Sequence, residues 1–140
     1  MNSDGAGDAD PRELLEASRS AEKEQALAYR ALAAEAEALG ETELAQRFHD
    51  LHADEQHHLS RLTARLLELG SRPLSVSPIV TPIVFAAWEV GVRAREEAEI
   101  ERYQHMLSLA LDAATRKLIE EILVVEEHHV EDLGGKWTMA

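Results

Sequence analysis

The stretches Glu22-Lys-Glu-Gln-Ala-Leu-Ala-Tyr29 and Ala53-Asp-Glu-Gln-His-His58 recur later in the chain as Glu96-Glu-Ala-Glu-Ile-Glu-Arg-Tyr103 and Val125-Glu-Glu-His-His129. In each half a glutamate stands seven residues before a tyrosine, and a Glu-x-x-His motif follows on the next segment. The chain is two copies of one unit. Both parts of the unit sit on amphipathic stretches of helical period, so each copy predicts two helices.

The period also says which way the motif residues face. The apolar stripe of the first segment runs Ser18, Glu22, Gln25, Tyr29, Leu32, Ala36, and that of the second Leu44, Phe48, Leu51, Glu55, His58, Leu62, Leu66. The third runs Val92, Glu96, Glu99, Tyr103, Met106, Ala110, and the fourth Thr115, Ile119, Ile122, Glu126, His129, Leu133. On all four, glutamate and histidine occupy slots where leucine would ordinarily stand. Buried carboxylates repel one another and lose hydration, and few lysines or arginines share these stripes to offset them. Two divalent cations would. Residues three apart share a helix face, so Glu55 and Glu126 can bridge two metals while His58 and His129 each bind one, with Glu22 and Glu96 as terminal carboxylates. Oxygen and imidazole donors without sulfur suit iron, with manganese or zinc able to take its place.

Composition agrees. Ala, Leu and Glu dominate, which favours helix. A formal charge of −13 leaves no basic footprint for nucleic acid or an anionic membrane. Cysteine is absent, which excludes disulfides, iron–sulfur clusters and thiolate zinc. No stretch is apolar enough to span a bilayer, and the N-terminus does not read as a signal peptide, so a cytoplasmic location is expected.

Punctuation divides the chain. Residues 1–10 read as a disordered acidic tail, and Asp10-Pro11 as a helix start. The first helix is expected to run to about Leu39 and stop at Gly40; Thr42 is expected to cap a second that ends at Leu69 and Gly70. Ser71-Arg-Pro-Leu-Ser-Val-Ser-Pro-Ile-Val-Thr-Pro82 cannot be a continuous helix and is too long for a turn, so residues 71–81 read as a crossover. Thr81-Pro82 is expected to open a third helix reaching about Leu111, and Asp112 to cap a fourth that ends before Gly134, leaving 134–140 as a tail. Residues 11–133 are thus expected to be an all-α domain, a ferritin-like four-helix bundle made of two helical hairpins joined by a long crossover.

On these motifs the sequence resembles the rubrerythrin and erythrin branch of the ferritin-like superfamily over roughly residues 12 to 133. The resemblance implies a di-iron oxidoreductase that reduces hydrogen peroxide, or oxygen, at a carboxylate-bridged iron pair in oxidative-stress defence. The two halves differ where Gln25 follows Glu22 and Glu99 follows Glu96. In rubrerythrin-like sites an extra glutamate at the latter place joins the metals as oxidation state changes, so Glu99 is a seventh candidate ligand and a catalytic one. The cysteine-based rubredoxin module of full rubrerythrins is missing, so an external donor protein is implied. A homodimer is expected by the same resemblance.

Two other functions fit the ligand set: a ferroxidase storing iron as ferritins do, and an organic-substrate hydroxylase resembling demethoxyubiquinone hydroxylase. Tyr29 and Tyr103, the remaining catalytic candidates, read first as core residues whose hydroxyls bond to ligand carboxylates. His57 and His128 fall off the stripe, as do Glu97, Glu101 and Glu127; His49, His52 and His105 read as ordinary, with His52 flanking the stripe. The apolar run Ile79 to Val92 is expected to cover the bundle end or to form a dimer contact.

Overall fold

The structure, a computed structural model, describes residues 10–73 and 83–133. Among them the chain forms α1 (Pro11–Ala38), α2 (Thr42–Glu68), α3 (Trp88–Leu107) and α4 (Ala113–Leu133), with one 3-10 turn at Phe85–Ala87. The expected tails at 1–10, apart from Asp10, and 134–140 and the Thr81-Pro82 cap lie outside the described residues, as does most of the crossover.

Helix ends follow local chemistry. Asp10 caps α1, its carboxylate accepting from the Arg12 backbone N–H at 2.9 Å, and Pro11 fills the first position, where no donor is needed. Gly40 takes φ of 76°, which lets its own N–H reach Glu37 O and that of Glu41 reach Ala36 O. Gly70 repeats the device after α2 at φ of 83°. Ala at position 40 would have to adopt this left-handed conformation with a Cβ, so Gly40→Ala should cost about 1–2 kcal/mol in urea unfolding.

Three expected boundaries move. Thr42 is the first residue of α2 and not its cap; Glu41 precedes it without a side-chain cap bond. The third helix starts at Trp88, because Ile83 and Val84 approach in non-helical form and Ile83 lies against Gly91, where a Cβ would sit 3.2 Å from Ile83 Cγ2. Ile83 and Phe85 thereby pack on the end of the bundle core. The same helix stops at Leu107, short of Leu111: the Ser108 hydroxyl donates to His105 O, and Arg116 of α4 donates to Leu107 O and Leu109 O. Ala110 is consequently exposed. Asp112 caps α4 as expected, accepting from the Thr115 backbone N–H at 3.0 Å.

Side-chain contacts fix the topology. His52 donates to Ala26 O and His49 meets Glu37, so α1 and α2 are antiparallel. Tyr29 reaches Glu96 and Tyr103 reaches Glu22, so α1 and α3 are antiparallel as well. Asp54 pairs with His129 and Arg65 with Asp112, which makes α4 antiparallel to α2. It follows that α2 and α3 are parallel, and the segment linking them joins opposite ends of a bundle about 40 Å long. This is the expected pair of hairpins with a crossover.

The stripe residues are buried, with Leu44 half-buried and Ala110 beyond its helix. They form two apolar clusters. One gathers Tyr29, Leu32, Phe48, Trp88, Val92 and Leu133, with the Phe48 and Trp88 rings edge-on at 4.8 Å between centroids. The other gathers Leu15, Leu62, Leu66, Tyr103, Met106, Ile119 and Ile122. A layer of carboxylates and imidazoles lies between them.

Candidate metal centre

Each helix contributes to that layer at mid-length: Glu22 from α1, Glu55 and His58 from α2, Glu96 and Glu99 from α3, Glu126 and His129 from α4. None is more than 6 % exposed. Donor atoms of Glu22, Glu55, His58 and Glu126 lie within 4.8 Å of one another, and so do those of Glu55, Glu96, Glu126 and His129. The two groups share Glu55 and Glu126. The sharing follows from placement: both bridging candidates lie on antiparallel α2 and α4, while Glu22 and Glu96 approach from antiparallel α1 and α3. His58 Nδ1 is 3.1 Å from Glu55 and 3.6 Å from Glu22, and His129 Nδ1 is 3.0 Å from Glu126 and 3.3 Å from Glu96.

Glu99 stands apart. It belongs to neither group, and Arg102 donates to its Oε1 at 3.0 Å. Tyr103 donates to Glu22 at 2.6 Å and Tyr29 to Glu96, so both hydroxyls bond to cluster carboxylates. Gln25 also donates to Glu96 through Nε2, at 3.3 Å.

Within the cluster many polar atoms lack a hydrogen-bond partner: Glu22 Oε1, Glu55 Oε2, Glu96 Oε1, both oxygens of Glu126, and His129 Nδ1. Buried acceptors without donors are costly. A pair of cations held by Glu22, Glu55, His58, Glu96, Glu126 and His129 would satisfy them, so the donor set fits the metal pair that the motifs imply.

The metal-free electrostatics reflect the crowding. Burial, then the charges of Glu22, Glu96 and Glu126, push the Glu55 carboxyl well above its usual range. Burial, then Glu22 and Glu96, do the same to Glu126. Glu99 is raised by burial and by Glu22 against the pull of Arg102. Burial would also raise Glu96, but its contacts with His129 and Tyr29 prevail and lower it. For His129 burial disfavours the imidazolium, yet contacts with Asp54, Glu126 and Glu96 outweigh that and push its pKa up to about 12. Burial first, and the adjacent carboxylates next, keep the Tyr29 and Tyr103 hydroxyls protonated far into the alkaline range.

One contributor escapes a reading of the stripes. Asp54, largely exposed, accepts from His129 Nε2 at 2.9 Å and turns Nδ1 toward the carboxylates. Its place just before Glu55 is the signal: on antiparallel α2 and α4 that position faces the opposite helix's histidine. The corresponding residue before Glu126 is Val125, which offers no acceptor. His57, His128, Glu97, Glu101 and Glu127 are exposed, as their off-stripe positions imply.

The connectivity and the four-helix packing define a ferritin-like four-helix bundle. The sequence matches no protein-family model and no curated protein. Among solved structures the fold is similar to that of Rhodobacter capsulatus bacterioferritin, with a TM-score of 0.82 at 19 % identity over 99 % of this chain and 87 % of that one. That protein is described with a metal-free dinuclear site and a heme iron. No helix among the described residues is long and apolar enough to cross a membrane.

Proposed function

We propose that the chain is a di-iron oxidoreductase of rubrerythrin type that reduces hydrogen peroxide to water. The observation that carries this reading is the pair of four-residue donor groups sharing Glu55 and Glu126 inside a buried layer. Bound as a ferrous pair, iron would supply the two electrons that peroxide takes up with two protons to give two waters. The protein's own part is to hold the ligands ready. Tyr29 and Tyr103 fix Glu96 and Glu22 by donated hydrogen bonds, and Asp54 fixes the ring of His129. Glu99, buried and tied to Arg102 beside the two groups, is the residue that favours peroxide chemistry by resemblance. Electrons would return from an external donor protein, and we place the protein in the cytoplasm as a homodimer.

A second reading is ferroxidation, in which Fe²⁺ is the substrate, oxidised for storage. The likeness in fold to a bacterioferritin and the charge of −13, which attracts cations, favour it. A hydroxylase is less favoured: among the described residues the cleft beside Glu99 is about 140 Å³, below the ~300 Å³ of pockets that enclose organic ligands.

The deciding experiment mixes anaerobic, ferrous-loaded protein rapidly with peroxide or with oxygen and follows ferric absorbance. Much faster oxidation by peroxide supports the peroxidase. Faster oxidation by oxygen with continued iron uptake replaces it with the ferroxidase.

Asp54 offers a separate check on the ligand assignment. A carboxylate that accepts from a ligating imidazole orients it and raises its basicity, so Asp54→Asn should weaken one of two metal-binding steps by about 10–100-fold. Calorimetric titration with Co²⁺ reads this directly. Equal loss in both steps, or none, would contradict the pairing of His129 with a single metal.

A further inference from the structure

The twofold repeat is broken along one face, where α1 meets α3. Aligning Glu22 with Glu96 sets Ala21 against Arg95, Glu24 against Ala98, Gln25 against Glu99 and Ala28 against Arg102. At three of these four equivalent positions one repeat carries alanine where the other carries a long charged side chain. Ala21 and Ala98 leave a cleft of about 140 Å³ between the helices, completed by Glu24, Gln25, Arg95, Glu99 and Arg102.

The cleft runs from solvent inward to Gln25 and Glu99, which border the six-residue donor cluster. Its outer wall is the partly exposed pairs Arg95–Glu24, at 2.9 Å, and Arg102–Glu99, at 3.0 Å. Its inner wall is Gln25 and Glu99, only 2 % and 4 % exposed. Gln25 also bonds to Glu96, a member of the cluster.

Both inner residues carry an oxygen with no donor: Gln25 Oε1 and Glu99 Oε2. The Gln25 amide nitrogen faces Tyr29 and Glu96, which leaves its carbonyl oxygen as the unsatisfied atom. What the inner wall lacks is hydrogen-bond donors. Two guanidiniums at least balance the Glu24 and Glu99 carboxyls of the lining, so the cleft has no net negative charge to draw cations. A ferrous ion entering here would pass two arginines. A small uncharged molecule bearing O–H groups meets matching acceptors. The volume holds a few water-sized molecules.

We propose that this cleft is the entrance and docking site for hydrogen peroxide, with Gln25 Oε1 and Glu99 Oε2 accepting its O–H groups and Arg102 holding Glu99 in place. The ligand named rests on the peroxidase reading; the cleft as an entrance for water-sized molecules does not.

The test fills the cleft from one wall with Ala98→Leu and, as a second variant, from the other with Ala21→Leu. Metal content and melting temperature establish that each is folded with two metals. Water is the first probe, read without turnover as the enhancement of bulk-water proton relaxation by Mn²⁺-loaded protein. Peroxide is the second, read as the second-order rate constant for oxidation of the ferrous protein. The expected result is a severalfold loss of relaxation enhancement and a rate constant lower by about tenfold, the scale on which obstructing a docking site alters association. Relaxation and rate both unchanged in a folded, metal-replete variant would overturn the proposal. Wild-type protein gives an independent arm: cumene hydroperoxide should react at least ~100-fold more slowly than hydrogen peroxide, since its ring clashes with the walls, and equal rates would also overturn it. Wild-type ferrous protein reacting no faster with peroxide than with oxygen would remove the peroxidase reading and the ligand together, while the relaxation comparison still judges the entrance.

Discussion

Chelating the metals from the loaded protein should lower its melting temperature by on the order of 20 °C or more. A ligand that binds only the folded state stabilises it by about 4 kcal/mol when present at a thousandfold excess over its dissociation constant, and two sites give roughly twice that. For a domain of this size each kcal/mol moves the transition by several degrees. The apo state is the strained one, because Glu55, Glu99 and Glu126 are buried beside other carboxylates. Their carboxyls titrate well above 4.5 in the folded apo protein and near 4.5 when unfolded, so the folded state holds protons that the unfolded state has released. That stabilisation is complete below about pH 4.5 and is lost as pH rises through the folded values. His129 acts in the same sense: folded near 12 against 6.5 unfolded, its contribution is complete below pH 6.5 and is lost toward pH 12. Glu96, lowered, works the other way, contributing above 4.5 and losing that as pH falls. The three raised glutamates and His129 outnumber it. Apo melting temperature should therefore fall between pH 6 and pH 9. Metal binding needs deprotonated ligands and tightens over the same range. The gap between loaded and chelated protein should widen with pH, which melts at four pH values with and without chelator would reveal. A melting temperature indifferent to chelator would sink the metal assignment.

The cluster was legible in the sequence because its residues break a pattern. Glu22, Glu55, His58, Glu96, Glu126 and His129 each replace an apolar residue on a stripe of helical period, and the structure brings all six into one layer. Two copies of the pattern made the pairing of halves legible too. What the stripes could not give were partners that lie off them. Asp54 is largely exposed and would pass as a solvated helix residue, yet it orients His129 across the α2–α4 interface. Arg102, beside the stripe, ties Glu99 away from both donor groups. Side-chain reach between helices depends on their relative heights, and periodicity within one helix does not encode that. The start of α3 was misplaced for a related reason. Thr81-Pro82 is a good local start signal, but packing Ile83 and Phe85 on the bundle end holds the chain out of the helix until Trp88.

Glu126→Gln should raise the stability of the metal-free protein while abolishing its metal pair. Glu126 is wholly buried, neither of its oxygens accepts a well-aligned hydrogen bond, and burial and the charges of Glu22 and Glu96 outweigh the pull of His129, 3.0 Å away. Glutamine keeps the volume, removes the charge and adds two N–H donors to a layer rich in unsatisfied oxygens. At pH 8, where the ionised carboxylate is least tolerated, the gain should be largest and is read as a higher midpoint of urea unfolding. The same residue belongs to both four-residue donor groups, so its loss removes a shared ligand and not a terminal one. Metal per chain should fall from two to one or fewer. Exposed Glu101→Gln, off the stripe, should change neither quantity. Opposite signs in the two measurements are the signature of a group retained for binding at the expense of stability. A purely structural carboxylate would instead destabilise the apo protein on substitution and leave metal content untouched, and that outcome would remove Glu126 from the centre.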